Sequence, residues 1–179
     1  DMGPAILESH LVPTLLVSNA TTESGAKAVV SGAFPVSIPG AGAGTPEVVL
    51  QVTTVSMGNP HVVIFVPDLD HMQPPFEVIG PLVETHAAFP ERINVEFVQI
   101  LDSCSLKMKV WERGVGATLA CGTGACAVVV ASVLNGVCQA NTDVTVTLPG
   151  GNLIVRWDQG RNKVYKTGPA DAVFAGVLP

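Results

Sequence analysis

One of the four cysteines in this sequence has neighbours that could make its thiol reactive. Cys121 lies in the segment ACGTGACA, Ala120–Ala127, and the apolar run Cys126–Leu134 follows it. This order predicts a buried helix that begins directly after the cysteine. The first N–H groups of a helix lack partners within it, and the helix dipole adds partial positive charge, so the position favours a thiolate and a bound carboxylate. The segment therefore predicts a reactive thiol beside an anion-binding site.

The other three cysteines lack such surroundings. Cys104, Cys126 and Cys138 form no CxxC pair and do not reach the density of a disulfide-stapled secreted scaffold, which favours a reducing compartment. Their spacing predicts no zinc site. We assign Cys126 and Cys138 to packing, since a buried cysteine usually acts as a small hydrophobic residue, and Cys104 to a hairpin turn.

Several polar residues could serve a site or only the local backbone. His61 follows a proline and could be a hydrogen-bonded histidine at a strand end. Asn59 and Asn94 could be turn residues that bond to their own backbone, a common role of Asn. Glu112 and Arg113 could form a solvated pair that contributes little to stability. Residue type alone leaves these alternatives open.

Composition excludes two classes of protein. The chain has 179 residues, of which 47% are apolar, and a mean hydropathy of +0.44, which is typical of a compact domain. Nine basic and fifteen acidic residues give a net charge of −6, and no cluster of Lys or Arg suits a nucleic acid. The longest apolar run is shorter than the roughly 20 residues of a membrane-spanning helix. We therefore expect one soluble domain over 1–179.

Two pairs of strands are predicted around the polar candidates. Val48–Ser56 and His61–Val66 are rich in β-branched residues and flank the turn Met57-Gly-Asn-Pro60. Asn94–Leu101 and Ser105–Glu112 alternate apolar and polar residues, as the strands of a half-buried antiparallel hairpin do.

The remaining segments complete a domain with many strands. A short helix is predicted over Phe76–His86, interrupted by Pro81, and Asn135-Gly136 ends the helix after Cys121. Pro39-Gly-Ala-Gly-Ala-Gly44 is predicted to be a flexible spacer. Further strands are predicted at Leu11–Val17, Ala26–Val36, Asp143–Leu148, Asn152–Trp157, Lys163–Thr167 and Ala172–Val177.

The helix after Cys121 decides the expected fold. Because a helix that is apolar on every side must be surrounded, and mostly antiparallel strands can do so by curling around it, we expect an α+β barrel-like domain. The segment Gly122–Leu134 would run through the middle as its most stable element. The end that carries Cys121 would then open at a mouth of the barrel.

Five motifs, in order and at matching spacing, resemble the carboxy-terminal half of the diaminopimelate epimerase family. The similarity extends from the first residues of the chain to its end. Five ordered motifs are far more specific than CGTG alone, because Gly-rich turns before helices are common. The motifs are SMGNPHVVIF at Ser56–Phe65, FPERINVEF at Phe89–Phe97, VWERGVGATLACGTGACA at Val110–Ala127, LPGG at Leu148–Gly151 and TGPA at Thr167–Ala170.

The resemblance implies a cofactor-independent isomerase that interconverts LL- and meso-diaminopimelate in lysine or peptidoglycan-precursor biosynthesis. In such an enzyme one cysteine thiolate removes the α-proton and a second cysteine, on the opposite face of the substrate, returns one. By resemblance Cys121 is one of the two. The second lies in an amino-terminal domain that is absent from 1–179, so this chain is expected to be inactive alone. A second copy of the chain is a further candidate partner.

The resemblance also assigns residues to the two ends of the substrate. Gly122 and Thr123 would bind the reacting α-carboxylate through backbone N–H groups, in agreement with the helix-end argument. Asn59 and Asn94 would bind the remote amino acid end.

The charged candidates receive roles in the same way. Arg113, with Glu112, would bind the carboxylate and ammonium of the remote end, since a guanidinium fork suits a carboxylate. His61 and Glu112 would hydrogen-bond near the cysteines and assist thiol ionisation. From these surroundings we expect a lowered pKa for Cys121.

One position departs from the family pattern. Many members have G-x-G-E-T after the Glu-Arg-Gly motif, whereas this chain has Gly116-Ala117-Thr118. Ala117 and the long Asn19–Gly44 spacer indicate a plant-like or cyanobacterial branch. The chloroplast stroma is then the expected location, with the bacterial cytoplasm as the alternative.

Two other interpretations remain open. The first is a related racemase or isomerase of the same fold, although Asn59, Asn94 and Arg113 suit a substrate with two amino acid ends. The second is a truncated homologue that serves as a binding or structural subunit. The chain begins with Asp1 and not with Met, which predicts a cut and missing sequence upstream.

Overall fold

The computed structural model of the chain describes residues 1–38 and 48–177. The predicted spacer at 39–44 lies outside these ranges. The described residues form eleven strands, two α-helices and a short 3-10 helix at Ser9–Leu11. The strands are β1 (Ala20–Thr21), β2 (Lys27–Ala28), β3 (Gly32–Val36), β4 (Val48–Ser56), β5 (Pro60–Phe65), β6 (Asn94–Asp102), β7 (Ser105–Glu112), β8 (Gly116–Thr118), β9 (Val144–Leu148), β10 (Gly151–Asp158) and β11 (Lys163–Thr167), and the helices are α1 (Phe76–Glu84) and α2 (Gly122–Leu134).

Nine of the strands form one mixed sheet. Its order is β11-β10-β9-β7-β6-β5-β4-β3, and β8 pairs with β7 beside this path. The predicted hairpins β6–β7 and β9–β10 are present and antiparallel. Two pairs, β5–β6 and β7–β9, are parallel, which the prediction of mostly antiparallel strands did not anticipate. Since parallel neighbours need a crossover, the chain passes through α1 in the first case and through β8 and α2 in the second.

The sheet separates two hydrophobic cores. Val62 and Ile64 of β5 pack in the core that contains α1, whereas Val63 packs in the core that contains α2. The same alternation occurs on β6, where Val95 and Phe97 pack on the α1 side and Val98 on the α2 side. Because both faces are covered there, β6 is buried on both faces from Asn94 to Val98, which the prediction of a half-buried strand did not anticipate. Strand β7 alternates buried and partly buried residues, as predicted.

Helix α2 is buried along most of its length. Every residue from Gly124 to Ser132 is buried, and the helix contacts β4, β5 and β6 as well as β9, β10 and β11. It begins at Gly122 and ends at Leu134, as predicted, and Gly136 follows with φ +70°, a conformation that glycine adopts readily. No helix among the described residues is long and apolar enough to cross a membrane.

The α+β class is confirmed, but the strands do not close into a barrel. Among the described residues, β3 and β11 are the two ends of the sheet and do not pair with each other. The amino-terminal segment lies between β4 and β11 instead: Met2 and Gly3 bond to Val164 of β11, and Ile6 bonds to Ser56 of β4. The segment is not a continuous strand, because Gly3 has φ +82° and Pro4 has no N–H to donate.

Other predicted elements are wrong or altered. Leu11–Val17 is not a strand, because Pro13 interrupts its donors and alternate apolar residues remain exposed. Ala172–Val177 is not a strand either, since it pairs with no described residue and Phe174 is 88% exposed. Ala26–Val36 is divided into β2 and β3 by Ser31, whose φ of 48° breaks the extended backbone. The helix predicted over Phe76–His86 ends two residues early, at Glu84, and contains Pro81.

Candidate active site

The thiol of Cys121 lies at the amino end of α2. Cys121 is the N-cap residue, with extended backbone angles, and its sulfur accepts a hydrogen bond from the N–H of Gly124 at 3.3 Å. The residue is 7% exposed, so it lies just beneath the surface. The predicted position of the thiol is therefore correct, and the sulfur takes the place of the oxygen that commonly caps a helix.

A chain of polar side chains leads from this sulfur into the domain. The hydroxyl oxygen of Thr123 lies 3.6 Å from Cys121 Sγ. Asn59 donates from Nδ2 to that hydroxyl at 3.3 Å, and its Oδ1 lies 3.0 Å from Nε2 of His61. The turn between β4 and β5 therefore brings two predicted residues next to the amino end of α2. His61 contacts Cys121 through this chain and not directly.

The chain of hydrogen-bonded side chains ends at Glu96, a residue that was not predicted from the sequence. Oε1 of Glu96 lies 2.6 Å from Nδ1 of His61, and both side chains are 0% exposed. Glu96 follows Asn94 on β6, in the motif FPERINVEF, and its neighbours Val95 and Phe97 point to the opposite face of the sheet. A charged residue at an inward position of a buried strand is the signal that could have identified it.

The geometry requires a proton between His61 and Glu96. Because Oδ1 of Asn59 is an acceptor, Nε2 of His61 carries the hydrogen that it donates to that oxygen. A bare Nδ1 and an ionised carboxylate would both present lone pairs at 2.6 Å, so one proton lies between them. That proton is shared by the two groups, either as imidazolium and carboxylate or as imidazole and carboxylic acid.

Gly124 allows Glu96 to come close to the thiol. A Cβ atom at this position would lie 2.8 Å from Oε1 of Glu96 and 3.2 Å from the sulfur of Cys121. Such distances are shorter than van der Waals contact, so only glycine fits between the carboxyl group and the first turn of α2. The second glycine of the CGTG motif, Gly124, is therefore required for steric reasons.

Asn94 and Arg113 form the second part of the site. Asn94 donates from Nδ2 to the carbonyl oxygen of Pro60 at 2.8 Å and accepts from the N–H of Arg113 at 2.9 Å. The side chain of Arg113 donates from Nη1 to the carbonyl oxygen of Glu91 at 3.1 Å. Among the described residues Arg113 joins no ion pair. Asn94 therefore aligns the backbone of two loops, while the guanidinium keeps further donors free.

Glu112 lies between the two parts and is held by β8. Its Oε1 accepts a hydrogen bond from the hydroxyl of Thr118. Ala117, the departure from the family pattern, is exposed and pairs with Trp111 in the β7–β8 ladder. The position therefore points to the surface in this chain, and the carboxyl group of Glu112 makes its contact with Thr118.

Electrostatics corrects one prediction. Burial raises the pKa of Cys121, and the nearby Glu96 and Glu112 carboxyl groups add to the rise, while hydrogen bonds from Thr123 and Gly124 lower it. The net direction is upward, so the expected lowered pKa is wrong for this chain alone. The helix end stabilises the thiolate less than burial destabilises it.

Two other buried cysteines do not take part in the site, whereas a lysine lies next to it. Burial raises the pKa of Cys126 and Cys138 to about 11, in agreement with a packing role. The ammonium group of Lys166 on β11 lies against Gly122, so β11 brings a cation to this helix end. In ranges 1–38 and 48–177, no group of three or more His, Cys, Asp or Glu residues could hold a metal ion.

Comparison with known proteins shows which proteins this chain resembles. A family model described as diaminopimelate epimerase matches residues 53–173. A diaminopimelate epimerase of Microcystis aeruginosa is 50% identical over 179 residues, all of this chain and 57% of the relative. That of Pelotomaculum thermopropionicum is 56% identical over 135 residues, 75% of this chain and 46% of the relative. The solved structure of a predicted epimerase from Pseudomonas aeruginosa covers 98% of this chain and 58% of its own, with a TM-score of 0.49 and 14% identity.

These relatives are longer than the chain. The chain spans about half the length of the curated relatives that it matches, 57% of one and 46% of the other. The family match covers the strands and the helix end that carry Asn59, His61, Asn94, Arg113 and Cys121. On this similarity, the chain belongs to the diaminopimelate epimerase family.

Proposed function

We propose that this chain is the carboxy-terminal half of an enzyme that interconverts LL- and meso-diaminopimelate in lysine biosynthesis, and that it supplies one of two reacting thiols. The observation that carries the proposal is the position of Cys121, whose sulfur caps α2 just beneath the surface. The family match and the length of the relatives support it. Cys126 and Cys138 are less suitable, because burial raises their pKa to about 11.

The reaction inverts the α-carbon of an amino acid. A thiolate on one face removes the α-proton, and a thiol on the other face returns a proton to the carbon, so the number of protons is unchanged. Such a weak carbon acid needs a base within contact distance and stabilisation of the negative charge that develops toward the carboxylate. The free N–H groups of Gly122 and Thr123 at the start of α2 supply that stabilisation by binding the carboxylate.

The remote end of the substrate carries a second carboxylate and ammonium group. Arg113 has guanidinium donors available for the carboxylate, and Glu112 suits the ammonium group. Asn59 has its amide turned toward Thr123 and His61, so it positions the helix end as well as the substrate. The two parts of the site, joined by the bond from Asn94 to Pro60, then match a substrate with two amino acid ends.

The second thiol would come from the part of the relatives that this chain does not span. That part would cover the mouth at Cys121 and exclude water, and the sheet would curl further around α2 to approach the predicted barrel. The buried contacts of α2 with strands on both sides of β7 support this arrangement. The chain alone has one thiol at the site and is expected to be inactive.

Exchange of the α-proton with solvent tests the proposal. The chain is mixed with the separately produced amino-terminal half of a full-length relative, in deuterated water, with LL- or meso-diaminopimelate. Proton NMR follows loss of the α-proton signal, and chiral chromatography follows the isomers. We expect exchange and epimerisation with the mixture, neither with the chain alone, and neither with the Cys121→Ala variant.

A matched cysteine variant serves as the control. Cys104 is exposed in the β6–β7 turn, so Cys104→Ala should leave the activity of the mixture unchanged. Activity of the Cys121→Ala mixture equal to that of wild type would overturn the proposal. Tight association of the two halves without any exchange would favour the truncated binding subunit.

A further inference from the structure

Glu96 is a fully buried ionisable group that the proposed reaction does not use. Its Oε1 bonds to His61, while its Oε2 is buried with no hydrogen-bond partner among the described residues. Burial raises its pKa, and this effect is larger than the opposite effect of His61. An unpaired carboxyl oxygen in a core costs stability, so the residue is expected to have a role that offsets this cost.

We propose that Glu96 is a positioning residue that acts on the Cys121 thiol through one directional chain of hydrogen bonds, by way of His61, Asn59 and Thr123. The inference rests on the proposed function, because it takes Cys121 as the reacting thiol. Glu96 itself contacts neither the substrate nor the reacting atoms.

The direction of the hydrogen-bond chain follows from its donors. The proton between Glu96 and Nδ1 of His61 leaves Nε2 as an N–H donor to Oδ1 of Asn59. Asn59 therefore turns its Nδ2 toward Thr123 and donates to the hydroxyl oxygen. Since that oxygen accepts from Asn59, the single hydroxyl hydrogen of Thr123 is free to point at the sulfur of Cys121, 3.6 Å away.

The consequence is a second donor on the sulfur. With the N–H of Gly124 at 3.3 Å, the hydroxyl of Thr123 gives the thiolate two hydrogen bonds. Without Glu96, Nδ1 of His61 has no partner that fixes which ring nitrogen carries the hydrogen. Asn59 can then rotate its amide and accept the Thr123 hydrogen, which removes one donor from the sulfur.

A purely electrostatic role for Glu96 predicts the opposite effect of its removal on thiolate formation at Cys121. If Glu96 were only a negative charge near Cys121, its removal would make the thiolate easier to form. In the part of the protein that the structure describes, two other charged groups lie near the thiol: Glu112, which disfavours the thiolate, and Lys166, which lies against Gly122. Neither belongs to the chain of hydrogen bonds, so both stay the same when Glu96 is replaced.

Thiolate formation at Cys121 can be measured in this chain without substrate. The rate of alkylation by iodoacetamide is followed as a function of pH by peptide mass spectrometry, in a Cys104→Ser background that removes the exposed thiol. We expect Glu96→Leu to slow alkylation of Cys121 about tenfold at neutral pH, since one hydrogen bond to a charged group is lost. Thr123→Val should slow it by a similar factor, and the double variant should be no slower than either.

Controls separate positioning from packing. Thr54→Val removes a buried hydroxyl that has no partner among the described residues and takes no part in the hydrogen-bond chain, so the alkylation rate should stay at the wild-type value. Unchanged or faster alkylation of Glu96→Leu overturns the proposal. Additive effects of Glu96→Leu and Thr123→Val overturn it as well, because two independent contacts would then act.

A second measurement does not depend on a variant that folds. Nitrogen-15 NMR of the histidine rings in the wild-type protein should show Nε2 of His61 protonated, together with one strongly deshielded proton shared between Nδ1 and Glu96 across the 2.6 Å contact. A bare Nε2 would overturn the proposal. Because neither measurement uses turnover, the proposed function can fail while this inference holds, and the inference can fail while epimerisation is observed.

Discussion

The backbone N–H of Gly124 donates a hydrogen bond directly to the sulfur of Cys121 at 3.3 Å. The same glycine leaves room for the carboxyl group of Glu96, which a Cβ atom would approach to 2.8 Å. One residue thus determines both a donor to the thiol and the approach of the buried acid.

Gly124→Ala should therefore destabilise the domain, although the helix propensity of alanine is about 1 kcal/mol more favourable than that of glycine. We expect a net loss of about 1–3 kcal/mol in the free energy of unfolding, because neither Glu96 nor the first turn of α2 can move easily. Urea unfolding measures the change. Gly122→Ala is the matched control, since its Cβ would meet only the flexible end of Lys166, and an equal loss in both variants would contradict the steric argument.

Alkylation should follow the order of thiol environments. Cys104 is exposed and should react first. Among the buried thiols, Cys121 should react before Cys126 and Cys138, because it lies at a helix end and burial raises the pKa of the other two to about 11. Iodoacetamide labelling followed by peptide mass spectrometry gives the order, and equal rates for the three buried thiols would contradict the assignment of Cys121.

Arg113 should control substrate binding more than turnover. In the reconstituted two-part enzyme, Arg113→Lys loses the fork that pairs with a carboxylate, and we expect KM to rise about ten- to hundredfold with a smaller change in kcat. Steady-state kinetics with LL-diaminopimelate tests this. Arg156→Lys, a half-exposed position on β10 whose partner is Asp143, should leave KM unchanged. A fall in kcat with constant KM would place Arg113 in the chemical step.

Alkaline pH should weaken the fold through the buried thiols. Burial raises the pKa of Cys126 and Cys138 from 9.0 to about 11, so between these values the unfolded chain loses thiol protons that the folded chain keeps. The free energy of unfolding then falls as pH rises, by at most about 1.4 kcal/mol per pH unit for each thiol. Below pH 9 the two thiols have little effect on the slope.

Cys126→Ala tests the size of this effect. It removes one of the two thiols. The slope of the unfolding free energy against pH should therefore decrease by the contribution of about one proton. The slope, and not the absolute stability, is compared, because the smaller side chain also leaves a cavity. An unchanged slope would mean that Cys126 ionises equally in both states.

The helix end was predictable from sequence because its signal is local. Cys121, Gly122 and the apolar run define the start of α2, and Asn135-Gly136 defines its end, within one stretch of chain. The hairpins β6–β7 and β9–β10 were predictable for the same reason. The chloroplast assignment stays a prediction, since no contact described above bears on it.

Glu96 was missed because its burial is not local. A Glu between two apolar residues of a strand usually points to solvent, and only the packing of α2 on that face of the sheet buries it. The parallel pairing of β5 with β6 was missed because it depends on where α1 leads the chain. Leu11–Val17 and Ala172–Val177 are apolar in composition, but no described strand pairs with either, and composition alone does not supply a partner.

The bonds of the site join distant parts of the sequence. His61 bonds to Glu96, 35 residues further on, and Asn59 bonds to Thr123, 64 residues further on. Contacts of such long range form slowly during folding, after both crossovers are complete. A newly synthesised or partly folded chain should therefore carry an ordinary, unshielded thiol, and the chemical protection of Cys121 would report in a single measurement that maturation of the domain has finished.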